Sequence, residues 1–421
     1  MIKSLSRACG VESRFSAPPS KSYTHRAMII AALSNGMCFL QNPLVSEDTD
    51  RTRYALEALG TGIHTGENAL RIAGRDGHFT CGSEKTLDLN NSGTSLRLLA
   101  TLALLCDQPL ILTGNSRMQE RPVGPLADAL RTLGGTVEYL QKEGCPPIRV
   151  SGTLKGGNVT IDGTISSQFI SSILIASPYA QQTVELEVTA PPVSRSYIDV
   201  TIAIMRAFGA RVMTDDHVWF QVSNRQRYQA GNYEIEGDYS SASYFFAIAA
   251  ISGGRVTVEN LNPHSVQGDR QFPEILRSMG CTVQEGSDTM TVERTGSLDG
   301  IECDMSSSPD TVQTLCMVAA VASTPTTIHG IAHLKFKESD RILGTAQRLN
   351  QLGGDVRVGP DSITVVPKPL HGGSIDAGDD HRTAMSFAVL GLGIGGVTIG
   401  HAECVSKSFP GFWDALAGAG L

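Results

Sequence analysis

The chain repeats itself at an interval of just over seventy residues, and no single motif constrains the fold as tightly as that period does. A large apolar residue followed by glycine closes a helical run at Leu59-Gly60, Leu133-Gly134, Phe208-Gly209, Met279-Gly280 and Leu352-Gly353. The intervals between these glycines are 74, 75, 71 and 73 residues. Glycine after a helical run marks a left-handed C-terminal cap, and a hairpin pattern follows each one. A sixth copy, Leu416-Ala417-Gly418, stops at the C-terminus without its hairpin. The segment before Pro18 is therefore expected to supply the missing strands and make the repeat circular.

A second signature keeps the same beat. Small polar clusters open apolar helices at Ser20-Lys21-Ser22, Ser92-Gly93-Thr94, Ser166-Ser167-Gln168, Ser240-Ser241, Pro309-Asp310-Thr311 and Asp380-His381-Arg382. With Ser22, Ser95, Ser167, Ser241, Asp310 and Arg382 as markers, the gaps are 73, 72, 74, 69 and 72. The helices after these clusters are apolar nearly all round, as in Phe245–Ala250 and Leu315–Ala320, which predicts that they are buried. The second helix of each unit is amphipathic, as in Pro125–Arg131, and belongs outside. Each unit reads strand–helix–strand–helix–hairpin. Solenoid repeats run to about 20–50 residues, so six units of this length predict two globular clusters of three.

Composition excludes several classes. A net charge of −8 opposes nonspecific nucleic-acid binding. The nine cysteines are scattered without a C-x-x-C pair, so neither a disulfide framework nor a zinc site is signalled. The apolar runs Ala27–Leu33 and Leu98–Leu105 fall well short of the ~20 residues of a membrane span. Met1-Ile2-Lys3-Ser4 does not open a secretory signal. A cytoplasmic protein is expected, without membrane contact and monomeric. There is no Walker motif, no H-E-x-x-H and no G-x-S-x-G, and the glycines of Gly391–Gly396 fall late in a buried helix rather than in a dinucleotide loop.

Serine, threonine and aspartate at helix starts act as caps, and that ordinary role suffices for many of them. It leaves the cations unexplained. Lys21, Arg26, Arg121, Lys337, Arg341, Arg382 and Lys407 are all expected at or just inside helix N-termini. A cation there opposes the helix dipole unless an anion sits between them. Free N–H groups beside Lys or Arg make a phosphate or carboxylate site. Six inward helix ends facing across a cleft would hold a small, multiply anionic ligand. By position alone, Asp310 could merely cap its helix and Glu338 could be an ordinary first-turn acid, and Asp340 reads as a brace for Arg341 or nearby backbone.

These residues resemble those of the enolpyruvyl transferases. Pro19-Ser20-Lys21-Ser22 with Arg26 is similar to the first signature of that group. Asn91-Ser92-Gly93-Thr94 with Arg97 is similar to the second signature of the 5-enolpyruvylshikimate 3-phosphate synthase family. Glu120-Arg121-Pro122, Ser166-Ser167-Gln168, Ser194 with Tyr197, Glu236-Gly237-Asp238, Pro309-Asp310, Lys337-Glu338-Ser339-Asp340-Arg341, Asp380-His381-Arg382 and Lys407 follow in that family's order.

The resemblance spans the chain and implies an α/β fold, an inside-out barrel of two domains with three βαβαββ repeats each and buried parallel helices. The domains would comprise residues 1–19 with 236–421, and 20–235. It implies transfer of the enolpyruvyl group of phosphoenolpyruvate to the 5-hydroxyl of shikimate 3-phosphate, without cofactor or metal. Phosphoenolpyruvate would be bound by Lys21, Asn91, Gly93, Thr94, Arg121, Gln168, Arg341, His381, Arg382 and Lys407. Shikimate 3-phosphate would be bound by Lys21, Ser22, Arg26, Ser166, Ser167, Gln168, Ser194, Tyr197, Asp310, His333 and Lys337. Asp310 would act as the base, with Glu338 and Lys21 as the candidates for proton delivery.

Departures are His333 where an Asn is usual, Thr24-His25 before Arg26, and Leu98 in place of a common Pro. The related UDP-N-acetylglucosamine transferases normally carry a reactive Cys ahead of their Arg-Pro motif, and Thr113–Glu120 has none. A noncatalytic anion-binding protein would be expected to lose part of the set Lys21, Asp310, Glu338, Arg341, His381 and Lys407. An RNA-end-processing enzyme with related repeats would carry a basic surface excess.

Overall fold

The computed structural model describes residues 1–421, which divide into two compact units, Pro19–Ile235 and Met1–Pro18 with Glu236–Leu421. The chain passes from one unit to the other at Pro18–Pro19 and at Ile235–Glu236.

The repeat appears most simply in the second copy of the Pro19–Ile235 unit. Strand Lys85–Asp88, helix Gly93–Leu102 and strand Leu110–Thr113 form a βαβ crossover, since the two strands are parallel with Lys85 opposite Leu110. Helix Gly124–Thr132 leads into the antiparallel hairpin Gly135–Tyr139 and Ile148–Gly152, whose second strand pairs back onto Leu110–Thr113. Five of the six sheets have four strands in this order. Alternate residues of these strands are buried, Leu87 in the first and Leu110 and Leu112 in the second, so one face of the sheet is apolar and the crossover helix packs on it.

Those inner helices behave as their composition demands. Every residue from Tyr23 to Leu33 is buried, and so is every residue from Tyr239 to Ile251. Phe245 stacks on Phe15 with centroids 4.1 Å apart and planes within 7°. Burying such a ring contributes about 2–3 kcal/mol. The outer helices are two-faced: Gly124–Thr132 buries Leu126, Ala127, Ala129 and Leu130 and turns Asp128 outward.

The left-handed caps fall where the period puts them. Gly60, Gly134, Gly209, Gly280 and Gly353 have φ of 85°, 104°, 86°, 107° and 94°. The sixth copy differs. Gly418 is the last residue of helix Phe412–Gly418, and the left-handed residue is Gly420 at φ 75°.

Circular closure also differs from the expectation. The N-terminal segment returns only one strand to the sixth copy: Ile2–Leu5 lies antiparallel to Val397–Gly400, giving a three-stranded sheet. Its other strand, Glu12–Ser16, runs parallel to Arg255–Glu259 and leads the fourth copy. The first copy is led instead by Asn232–Glu234, parallel to Met37–Gln41. The chain changes unit at Pro18–Pro19, so residues before that point cannot serve the helix that follows it. No helix is long and apolar enough to cross a membrane.

Candidate active site

In the Pro19–Ile235 unit the polar clusters meet at the N-terminal ends of the three inner helices. Lys21 is the first residue of Lys21–Leu33, and its Nζ lies 3.0 Å from Oδ2 of Asp48. Asp48 is buried in the first turn of Glu47–Ala58. Arg121 lies in the turn before Gly124–Thr132, and its Nη1 donates to both O and Oδ1 of Asn91 at 3.2 Å. The guanidinium rests directly against Gly93, where an added Cβ would stand 2.6–2.7 Å from Nη2, Cζ and Nη1.

Gln168 links two helices. Its Oε1 accepts from Arg97 Nη1 at 2.9 Å, and its Nε2 donates to Thr94 Oγ1 at 2.9 Å. Arg97 also donates to Ser166 Oγ at 3.4 Å and lies over the Phe169 ring. Ser166 caps Ser167–Ala176 by accepting from Gln168 N at 3.3 Å. Ser194 is buried with φ 57°, a left-handed conformation uncommon outside glycine, and its carbonyl accepts from Tyr197 N.

Arg26 does not sit at a helix terminus. It lies in the second turn of Lys21–Leu33, 1% exposed, with Nε on Thr201 Oγ1 at 2.7 Å, Nη1 on Ser22 O and Nη2 on Tyr197 O. Burial pulls its pKa down to about 10, still protonated at neutral pH. Lys337 and Lys407 also depart from the expected position. They follow or close the 3₁₀ turns Ala332–Phe336 and Ala402–Lys407, because the chain tightens there instead of entering an α-helix.

The Met1–Pro18 and Glu236–Leu421 unit holds a denser charge cluster. Arg341 opens helix Arg341–Gln351 and is 2% exposed as a side chain. Its Nη1 donates to Asp310 Oδ1 at 3.2 Å, its Nη2 to Glu338 Oε2 at 2.8 Å, and its Nε to Asp380 Oδ2 at 2.9 Å. Burial opposes its charge, but Asp380, Glu338 and Asp310 outweigh that and hold it more firmly protonated than an ordinary arginine. Arg382 donates through Nη2 to Asp310 Oδ2 at 2.7 Å and through Nη1 to Asp310 O at 3.0 Å. Asp310 is thus held by two guanidinium forks, with its side chain still 18% exposed.

Two carboxylates here are caps as well. Asp340 accepts from Ile342 N and Leu343 N, which is the bracing role read for it. Asp380 accepts from Arg382 N at 3.1 Å and from Ser339 Oγ at 2.7 Å, so one side chain caps His381–Ile394 and fixes Arg341. His333 is buried in Ala332–Phe336. Burial, reinforced by the charge of Lys337, pushes its pKa down to about 3, so it is a neutral imidazole. His381 and Lys407 are buried in the same unit.

Asp48 and Asp380 are not legible as site residues, because an acid in a first turn looks like a dipole partner and an acid before a helix looks like a cap. Their cations lie 27 and 39 residues away in sequence.

The model of the family described as EPSP synthase (3-phosphoshikimate 1-carboxyvinyltransferase) matches residues 8–416. The chain belongs to the EPSP synthase family. Among its relatives, a 3-phosphoshikimate 1-carboxyvinyltransferase of Methanoculleus marisnigri is 56% identical over 421 residues, the whole of both chains. One of Serratia proteamaculans is 39% identical over 411 residues, 97% of this chain and 96% of that one. The solved EPSP synthase of Acinetobacter baumannii superposes with a TM-score of 0.81 at 28% identity, covering 99% of this chain and 98% of that one. The two-unit α/β architecture is that of the family, and the chain is a transferase.

Proposed function

We infer that the chain transfers the enolpyruvyl group of phosphoenolpyruvate to the 5-hydroxyl of shikimate 3-phosphate, releasing phosphate, in the biosynthesis of aromatic compounds. The observation that carries this reading is Asp310. In a chain of this family, it is a partly exposed carboxylate held at both oxygens by buried guanidiniums.

Asp310 accepts the proton of the attacking hydroxyl. The hydroxyl oxygen bonds to C2 of phosphoenolpyruvate while Glu338 or Lys21 delivers a proton to the methylene carbon, giving a tetrahedral ketal. Loss of a proton from the new methyl group and of phosphate from C2 restores the enol ether. Positive charge developing at C2 is offset by surrounding anions, so electrostatic stabilisation and proton transfer carry the catalytic load.

Lys21, Arg121, Arg341, Arg382 and Lys407 neutralise the phosphate and carboxylate of phosphoenolpyruvate, assisted by Asn91, Gly93, Thr94 and His381. Ser166, Ser167, Ser194 and Tyr197 take the phosphate of shikimate 3-phosphate. Its carboxylate goes to Ser22 and Arg26, and its hydroxyls to Asp310, Lys337 and His333, with Gln168 touching both ligands. The preformed Arg97–Gln168–Thr94 chain and the left-handed Ser194 support these placements, since both cost order before any ligand arrives. Gly93 brings no Cβ against the Arg121 guanidinium, which supports sensitivity to the inhibitor glyphosate. The reaction takes place in the cytoplasm, in keeping with nine free cysteines, and the chain acts as a monomer.

Phosphate release from phosphoenolpyruvate tests the reading directly, with shikimate 3-phosphate and then UDP-N-acetylglucosamine as sole acceptor. Release only with the first is expected. Release only with the second, or with neither, refutes it.

A further inference from the structure

Asp269 lies in the short turn Gly268–Gln271, 3% exposed, and none of the roles above uses it. The Ser240 hydroxyl, in the first turn of Tyr239–Ser252, donates to its Oδ2 at 2.5 Å. The same turn packs against Pro309–Thr311, the turn that carries Asp310. Gln271 ties the two together by donating its side-chain amide to Ser308 Oγ.

The charged groups whose fields reach Asp269 are Asp310 from that turn, Arg382 from His381–Ile394, and Asp238 at the cap of Tyr239–Ser252. Burial above all, and next the charge of Asp310, push the Asp269 carboxyl up to about 7. The Ser240 hydrogen bond and Arg382 pull in the other direction.

A base at Asp310 faces an electrostatic difficulty. It accepts from Arg341 at 3.2 Å and from Arg382 at 2.7 Å, and each adjacent cation lowers a carboxylate's affinity for a proton. Coulombic coupling between two carboxyls is reciprocal. If the charge on Asp310 raises the proton affinity of Asp269, an ionised Asp269 raises that of Asp310 equally.

We propose that Asp269 is a positioning residue for the reaction, a buried anion on the turn packed against that of Asp310, which offsets the two arginines and keeps Asp310 basic enough to take the substrate hydroxyl proton. This rests on the reading of Asp310 as the base. The Asp269 charge is present above about pH 7 and is lost below it.

The test is the pH profile of kcat for the wild type, Asp269→Asn and Ser240→Ala, with both substrates saturating. Substrate phosphates titrate near pH ~6 in every arm and cancel in the ratio to wild type. For Asp269→Asn, kcat should match wild type near pH ~5.5 and fall about three- to tenfold below it by pH ~8.5, with KM values little changed. Ser240→Ala keeps the carboxyl but removes its donor, so the break in its profile should move to higher pH.

A deficit in Asp269→Asn that is the same at every pH, or no deficit, overturns the proposal. Should that variant fail to fold, an unmoved break in Ser240→Ala overturns it alone. Absence of wild-type turnover with shikimate 3-phosphate would instead sink the reading of the reaction.

Discussion

Gly93→Ala isolates one contact of the proposed phosphoenolpyruvate site. The new Cβ would stand 2.6–2.7 Å from three guanidinium atoms of Arg121, against 3.4–4 Å for ordinary contact. The guanidinium must therefore retreat by about 0.8 Å (3.4 − 2.6). Arg121 is buried and anchored to Asn91 O and Oδ1 at 3.2 Å, so it cannot swing into solvent, and the retreat stretches those bonds. A hydrogen bond to a charged group contributes about 1.5–3 kcal/mol. At ~1.4 kcal/mol per factor of ten, weakening that contact to the substrate raises KM for phosphoenolpyruvate about 10- to 100-fold. Turnover at saturation should change less, because Asp310, Glu338 and Lys21 are untouched.

Stability is the smaller readout. Gly93 opens helix Gly93–Leu102, and the preference of a helix for alanine over glycine, up to ~1 kcal/mol, offsets part of the strain at Arg121. The assay is phosphate release at saturating shikimate 3-phosphate across a phosphoenolpyruvate series, alongside chemical denaturation. In an Arg121→Ala background the same substitution should add little, since the clashing group is gone. A KM within about twofold of wild type in the single variant, or full additivity in the double, refutes the reasoning.

Three further outcomes follow from the charge cluster and its neighbours. Asp310→Ala and Glu338→Ala should retain measurable ligand binding by calorimetry while turnover falls about 10²- to 10⁴-fold; near-normal turnover removes the residue from the mechanism. Asp380→Ala strips Arg341 and the Arg382 amide of a buried partner and should cost about 3–5 kcal/mol in urea unfolding. His333 has a folded pKa of about 3, below the ordinary 6.5, so the unfolded state takes the proton first and stability is lost as pH falls below 6.5. His333→Asn should recover about 2 kcal/mol of that loss at pH ~5 relative to its own value at pH ~7, read from unfolding curves at both.

What could be read from the sequence was whatever is local. The five Leu-Gly, Phe-Gly and Met-Gly steps needed only a helix end and a residue without Cβ, and all five glycines are left-handed. The sixth was misplaced because Gly418 and Gly420 both satisfy the local pattern, and only the extent of helix Phe412–Gly418 chooses between them. Strand exchange by Ile2–Leu5 and Glu12–Ser16 was partly missed because register across hundreds of residues leaves no nearby mark. The site followed the same division. Lys21, Arg341 and Arg382 announced themselves as cations where the dipole disfavours them. Asp48, Asp269 and Asp380 did not, because a first-turn acid, a turn acid and a cap are unremarkable until burial and a distant partner are known.

The closing strands impose an order on the newborn chain. Pro19–Ile235 acquires its last strand, Asn232–Glu234, when just over half of the chain has been made, and it can collapse as a ribosome continues downstream. The other unit has no such freedom. Ile2–Leu5 emerges almost four hundred residues ahead of its partner Val397–Gly400, so one edge waits unpaired while everything between them is made. A translation product stalled before Val397–Gly400 is therefore expected to hold one finished half and one open, aggregation-prone half, which makes that strand a checkpoint on the fold of both.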